Sequence, residues 1–301
     1  MNAESVGQAA RPTVSVVIPT YNLAPLLPGA VESARAQDWP GLEVIVVDDG
    51  STDGTPAVLE RLAAEGVRCF RQENAGAASA RNRGIREARG EWVAFLDADD
   101  FWLPGKLAAQ FEALAARPAA AFSYTDVMVR TADGAESVLP CPGRGRPLLT
   151  QLLAGNVFAT PSALVRRDCF DEVGLFDPAL RTGEDWDMWL RLAAHFECVY
   201  VARPLTLCRV TGQTRFPLPT LEWCTLRVLG RLFACGHVAR RLPDVAARRG
   251  AVYAWHYSVL AKSYLRRGRP ADFCRLAYRA LKSHPSALRF IAPGRGELLE
   301  G

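Results

Sequence analysis

Three short apolar runs set the frame of the first hundred residues, and each gives way at once to a polar segment rich in carboxylates. "VSVVI" (Val14–Ile18) leads into "PTYN", "EVIVVD" (Glu43–Asp48) into "DGSTDG", and "WVAFL" (Trp92–Leu96) into "DADD". The first two runs, short and rich in β-branched residues, read as buried strands, and the third as another strand. Pro19 is expected to stop the first of them. Between the runs, apolar residues recur at helical spacing: Leu26/Leu27, Ala30/Val31 and Ala34, then Val58/Leu59 and Leu62/Ala63. Thr55-Pro56 has the form of an N-cap followed by proline at N1. "VRCF" reads as a further strand and "AASARNRGIREA" as a helix despite Gly84. Leu107, Phe111 and Leu114/Ala115 mark another helix, ending near Pro118. Alternating strands and helices predict an α/β chain with a Rossmann-like, doubly wound, mostly parallel sheet. Ligands of such sheets sit beyond the carboxyl ends of the strands. Three polar segments, far apart in sequence, are therefore expected on one edge.

After Ala120 the pattern loosens into short strands and Pro/Gly-rich loops such as "LPCPGRGRP". A helix is expected from about Glu184, with Trp186, Trp189/Leu190 and Ala193 on one face. From about Thr220 the chain reads as helical. Tyr257, Leu260, Ala261, Tyr264, Gly268, Phe273, Ala277, Ala280 and Pro285 approximate one tetratricopeptide hairpin; a single copy reads as a packing helix pair before a peptide receptor. The expected organisation is a disordered 1–11, a main domain over 12–215, and a basic helical C-terminal region over 216–301.

The 301 residues are 49% hydrophobic and 23% charged, ordinary for a globular protein. No apolar stretch approaches the roughly 18 residues of a membrane span. The polar start "MNAESVGQAARP" lacks the apolar core of a signal peptide, so the expectation is a cytoplasmic protein. The eight cysteines stand singly with no C-x-x-C, which points to buried reduced thiols. Charge is uneven. Leu221–Phe290 holds 14 Lys/Arg against 3 Asp/Glu, whereas the whole chain is only +4, leaving −7 elsewhere. A basic region of this kind could be a solvated helix face. It could also meet anionic lipid, giving peripheral contact at the inner face of the membrane. Nothing resembles a nucleic-acid-binding module.

The polar segments carry the chemistry. Asp97, Asp99 and Asp100 fall within four positions. A turn with one helix-capping Asp explains one carboxylate; Mg²⁺ or Mn²⁺ bound together with a pyrophosphate explains the cluster. Asp49, Ser51, Asp53, Gly54 and Glu60 match EF-hand loop positions, but a strand precedes them and Pro56 takes the eighth place, so calcium is rejected. Asp53-Gly54 suits a turn, while Asp48 and Asp49 at a strand end suit hydrogen bonds from a ligand. In "ENAGAASARNRG", small residues bracket Arg81 and Arg83. This is either a solvated helix or a place where a ligand nears the backbone and Arg81 pairs with phosphate. In "TGEDWDMW", Thr182 and Asp185 could form a capping box, or Asp185 could be a general base. "NVFATPSA" (Asn156–Ala163), with Thr160, Pro161 and Ser162 at its centre, is one more candidate segment in the loops before that helix.

Taken together, "VSVVIPTYN", "VIVVDDGSTDGT", "ENAGAASARNRG", "FLDADD" and "GEDWDMWLRL" resemble the family 2 glycosyltransferases of the GT-A fold, from about Thr13 to Arg209. By that resemblance Pro19, Tyr21 and Asp49 line the nucleoside pocket, and Arg81 lies near the base or diphosphate. The same segments make Thr20, Asn22, Asp48, Asn74, Gly76 and Asp97 nucleotide-binding candidates. Asp97-Ala-Asp99 becomes the D-x-D motif, with Asp99 and then Asp97 as metal ligands for Mg²⁺ or Mn²⁺. Asp185 becomes the catalytic base, "NVFATPSA" becomes a candidate part of the sugar or acceptor wall, and Glu184, Trp186, Thr160, Pro161 and Ser162 become the sugar and acceptor candidates. The implied reaction is inverting transfer from a UDP-, GDP- or dTDP-linked sugar to a hydroxyl on a glycan, a lipid-linked acceptor or a small molecule.

The sequence also departs from the family. Thr211 in "CRVTGQ" stands where many relatives carry a histidine, which leaves a third protein ligand to the metal in doubt. No Q-x-x-R-W segment of the processive synthases is present, so transfer of one or a few sugars is expected. Two other readings stay open. One is a non-catalytic nucleotide-sugar binder or scaffold. The other is a D-x-D phosphatase of the haloacid dehalogenase type, against which Phe101 and the late motif strand argue.

Overall fold

The computed structural model describes residues 12–141, 145–210 and 216–291. Residues 1–11 and Thr211, both singled out above, lie outside the described residues. In chain order the elements are β1 (Val14–Thr20), α1 (Leu27–Arg35), β2 (Leu42–Asp48), α2 (Thr55–Ala64), β3 (Arg68–Arg71), α3 (Ala77–Glu87), β4 (Trp92–Phe95), β5 (Phe101–Trp102) and α4 (Lys106–Ala115). There follow β6 (Ala120–Thr131), β7 (Glu136–Leu139), α5 (Leu148–Leu152), a 3₁₀ turn over Thr160–Ser162, β8 (Leu164–Arg166), α6 (Cys169–Val173), α7 (Glu184–His195) and β9 (Glu197–Val210). The last helices are α8 (Leu218–Ala234), α9 (Gly236–Arg241), α10 (Val245–Arg266), α11 (Pro270–Ser283) and α12 (Ala287–Ile291).

The chain divides into two compact units. The first holds residues up to Pro140, Thr160–Gly174 and Val199–Val210. Its sheet runs β3-β2-β1-β4-β8-β6-β9-β5, with β7 paired to β6. The β3-β2-β1-β4 half is parallel, as the strand–helix alternation predicts. β8 then pairs antiparallel to β4 and to β6, and β5 to β9, so the sheet is mixed. β1 and β2 are buried almost throughout, which is why they read as continuous apolar runs. Val16, Ile18, Val44, Val46, Ala94 and Leu96 pack with Val31, Leu59 and Leu107 of the covering helices.

Several expectations change. Pro19 does not end β1, which continues to Thr20. The β1–β4 ladder already stops at Val17–Phe95, so a residue without an N–H is tolerated beyond it. Thr55 is not the N-cap of α2. Gly54 holds that place, and the Asp53 carboxylate accepts the Thr55 N–H at 2.9 Å. The region after Ala120 is not only short strands, since β6 is 12 residues long.

The second unit holds Cys141–Ala159, Leu175–Cys198 and Thr211–Gly301. Two stretches assigned above to the main domain therefore belong with the C-terminal helices, and the simple boundary near 215 is not the one the packing draws. Buried and half-buried ring nitrogens supply the reason. Trp255 Nε1 donates to Ala154 O at 2.9 Å, His256 Nε2 meets Leu153 O at 2.9 Å, and Trp186 Nε1 donates to Leu152 O at 2.8 Å. Each such group must find a partner once buried. The α10–α11 hairpin closes on Leu260, Ala261, Tyr264 and Leu276; it is a single packed pair.

Candidate active site

The edge formed by the carboxyl ends of β1, β2 and β4 is built from loops that hold one another. Asn22, at φ 54°, adopts the left-handed conformation that Asn tolerates better than most residues. Its N–H donates to Ser51 Oγ at 2.8 Å, and its Oδ1 accepts from Thr52 N at 2.8 Å. Ala24 N donates to the second oxygen of Asp53 at 3.1 Å. The loop after β1 is thereby fastened to the loop after β2. Pro19 and Thr20 are buried beneath it, and Tyr21 and Asn22 are exposed.

Asp48 and Asp49 do not present open carboxylates to a ligand. Asp48 is fully buried; one oxygen accepts from Ser51 N at 2.9 Å and the other lies 3.3 Å from Arg71 Nε. Asp49, also buried, accepts from Gln72 Nε2 at 2.8 Å, Ala75 N at 3.0 Å and Gly76 N at 2.7 Å. It therefore fixes the loop before α3, which carries the exposed Asn74. Gly76 enters α3 at φ 91°, ψ 164°, a region open in practice to glycine alone. Arg71 and Gln72 are functional neighbours that the sequence reading missed, since nothing in "RCFRQ" announces partners in another loop.

α3 lies tightly on the sheet. A Cβ at Gly84 would come within 2.2 Å of Val17 Cγ1, so this glycine serves helix–strand approach and not ligand access. One turn earlier, Arg81 is buried and donates to Asp97 Oδ1 at 2.8 Å. Arg83, in contrast, pairs with Glu87 on its own helix.

The acidic turn after β4 thus has three different environments. Asp97 is held by Arg81. Asp100 is buried, and its Oδ1 accepts from Arg209 N at 2.9 Å. Burial, reinforced by the charges of Asp97 and Asp99, pushes its carboxyl well above the usual carboxylate range. Asp99 is half-buried. Among the described residues no three His, Cys, Asp or Glu side chains gather to hold a metal ion by themselves. Two half-buried carboxylates on one turn do fit Mg²⁺ or Mn²⁺, which is commonly held by one or two carboxylates while substrate phosphates and water fill the remaining positions. Beyond the turn lies Lys106, fully buried, its Nζ donating to Gln110 Oε1 at 2.7 Å and lying 4.2 Å from the Trp102 ring centre.

Thr160, Pro161 and Ser162 are all buried and do not form an open wall. Pro161 O accepts from Trp102 Nε1 at 2.9 Å and Ser162 O from Gln110 Nε2 at 3.0 Å. The turn provides acceptors for side chains beneath it.

In the second unit, α7 begins after Gly183 at φ 72° with no side-chain cap, so the Thr182–Asp185 capping box, one of the two readings of this segment, is not formed. Asp185 is half-buried in the first turn. It accepts from Trp186 N at 2.7 Å and from Asn156 Nδ2 at 2.7 Å. Glu184 beside it is half-buried as well. Trp186 is not an exposed platform for a sugar: it is buried, with its ring centre 5.1 Å from that of His256. Asp187, unremarked in the sequence, is buried and lies 2.9 Å from Arg191 and 3.4 Å from Arg231.

Comparison with known proteins identifies the family and the fold. The model of a family described as glycosyl transferase family 2 matches residues 15–174, more than half of the chain. A protein of Bacillus subtilis (strain 168) named as a teichuronic acid biosynthesis glycosyltransferase, TuaG, is 33% identical over 185 residues, 60% of this chain and 72% of its own length. An uncharacterised glycosyltransferase of Haemophilus influenzae is 30% identical over 200 residues, 65% of this chain and 67% of that protein. Among solved structures, S. aureus TarS 1-349 superposes with a TM-score of 0.61 at 14% identity, covering 90% of this chain and 91% of that one. The mannosyltransferase PcManGT from Pyrobaculum calidifontis, in complex with GDP-Man and Mn²⁺, gives 0.58 at 21% identity, covering 94% and 84%. At such identities the structures speak for the GT-A fold alone. Family membership also removes the phosphatase reading. The chain belongs to glycosyl transferase family 2.

Proposed function

We propose that this glycosyltransferase moves a sugar from a nucleoside-diphosphate donor to an acceptor hydroxyl, with inversion at the anomeric carbon and with a divalent cation. The observation that carries the reading is the acidic turn after β4, anchored by the Arg81–Asp97 pair at 2.8 Å on the strand-end edge where α/β sheets bind nucleotides. Asp99 and Asp97 would hold Mg²⁺ or Mn²⁺, which supplies Lewis-acid stabilisation of the departing diphosphate.

The remaining steps use the chain's own groups. Tyr21 and Asn22 offer exposed faces to the nucleoside, over a loop made rigid by Ser51, Thr52 and Asp53. Asn74 and the loop shaped by Asp49 frame the donor on the other side. Arg81 fixes the Asp97 side chain in place through the 2.8 Å contact. Asp185 is assigned as base on its motif and on its first-turn position. It takes the proton from the acceptor hydroxyl as the new C–O bond forms, and the old C–O electrons leave with the nucleoside diphosphate. Donors bound by structural neighbours include UDP-GlcNAc in TarS and GDP-Man in PcManGT; UDP-, GDP- and dTDP-linked sugars are therefore the first to test. The acceptor class includes lipid-linked hydroxyls.

The test is a thermal-shift panel of nucleotide sugars with and without Mn²⁺, since a ligand that binds the native state raises its stability. The expected hit is then followed by NMR assignment of the product anomer. Stabilisation by a nucleotide sugar that is indifferent to chelation would remove the cation from the proposal. A product of retained configuration would remove Asp185 as base.

A further inference from the structure

Helix α11 has two apolar sides. Leu276 and Ala280 are buried within the hairpin. On the opposite side Tyr278 is 65% exposed and Leu281 41% exposed. With 100° between successive residues, Ala271, Cys274, Tyr278 and Leu281 share one outward stripe, and Ala271 and Cys274 are exposed too. The following α12 buries Ala287 against Ala254 and Ala280 while leaving Leu288 67% exposed. Large apolar side chains standing in water on consecutive helices mark a contact surface.

Charge identifies its occupant. From Phe273 to Ile291 every Lys, Arg, Asp or Glu is basic: Arg275, Arg279, Lys282 and Arg289. Arg275 is spent on Glu222 through two bonds of 2.7 Å, and Arg279 lies 3.8 Å from the same carboxylate. Lys282 and Arg289 are exposed and, among the described residues, have no carboxylate partner. They flank the apolar stripe. A second copy of the chain would place two such basic segments face to face, which Coulomb repulsion opposes. A bilayer surface with anionic headgroups satisfies both features at once: leucines enter the acyl boundary, tyrosine suits the headgroup level, and cations meet the phosphates.

We propose that the outward face of α11–α12, centred on Tyr278, Leu281 and Leu288 and flanked by Lys282 and Arg289, docks the protein on an anionic membrane surface. This goes beyond the transferase reading and does not depend on it, because the readout is binding and not turnover.

The experiment is sedimentation of the full chain with vesicles of phosphatidylcholine alone or with phosphatidylglycerol added, at low and high salt. Binding is expected only with the anionic lipid and is expected to weaken with salt. A basic residue at such a surface is worth roughly fivefold in affinity, so Lys282→Gln with Arg289→Gln should cost about 25-fold. Tyr278→Ser with Leu281→Ser should abolish stable binding at either salt level. All four positions are exposed, and unchanged thermal unfolding will confirm folded variants. Equal binding to neutral vesicles, no binding to anionic ones, or a dimer dispersed by Tyr278→Ser would each overturn the proposal.

Discussion

Replacing Gly84 by Ala sets two opposed effects against each other, and the geometry says which wins. In a helix interior Gly→Ala gains about 1 kcal/mol of intrinsic propensity. Here the added Cβ would fall 2.2 Å from Val17 Cγ1 and 3.0 Å from Cγ2, well short of the 3.5–4.0 Å of a normal carbon contact. Val17 is fully buried in a central strand, and its branched Cβ leaves it little freedom to turn aside. Overpacking of this kind costs typically 1–3 kcal/mol, and the rigid neighbour places it at the upper end. The net expectation is a loss of about 2 kcal/mol, which lowers Tm by roughly 4–8 °C. Val17→Ala removes the clashing methyls at its own cavity cost. The double variant should be more stable than the sum of the singles by at least about 1 kcal/mol. Because Arg81 rides on the same helix, displacement of α3 should also raise the donor KM. A rise in Tm for Gly84→Ala, or additivity within about 0.5 kcal/mol in the cycle, would refute the reasoning.

Three further outcomes are expected. Asp185→Asn should lower kcat by about 10²–10⁴ while leaving donor-induced thermal stabilisation in place; loss of donor binding instead would make Asp185 a structural residue. Asp99→Asn should abolish the difference that Mn²⁺ makes to donor binding, and calorimetry with and without chelator reads this directly. His256 gives a pH signature. Burial holds its imidazole at about 4, against an ordinary 6.5. Below pH 6.5 the unfolded chain takes up a proton that the folded chain refuses, so stability is complete above that pH and is lost as pH falls towards 4, by about 3 kcal/mol in all. Urea titrations across that window should show a shallower acid limb for His256→Gln.

The parallel half of the sheet was legible because β1 and β2 are buried almost throughout and are written in β-branched residues, while β4 is an unbroken apolar run. Once the strands were placed, the polar edge followed from topology. What each polar residue does there was less legible. Asp49 and Asp99 look alike in sequence, yet Asp49 is consumed by Gln72, Ala75 and Gly76, contacts that span 23 to 27 residues. Local pattern carries no record of such partners. "TPS" looked polar enough for a wall, but its carbonyls are needed by Trp102 and Gln110. Trp186 could have been platform or core, and only the position of His256 decides that. Asn156 fell inside a stretch chosen for the sugar wall and instead bonds Asp185, a pairing across 29 residues.

The interleaving of the second unit has a consequence for anyone trimming this gene. The family match ends at residue 174, before α7 begins. Even a stop codon after residue 215 would spare Asp185 but delete His256 beside Trp186 and Arg231 beside Asp187. The helix bearing the assigned base would then expose an indole and leave the buried Asp187 carboxylate with Arg191 alone. The tail is the foundation on which that helix stands, so truncated proteins should lose turnover through collapse of α7, even with every motif residue intact.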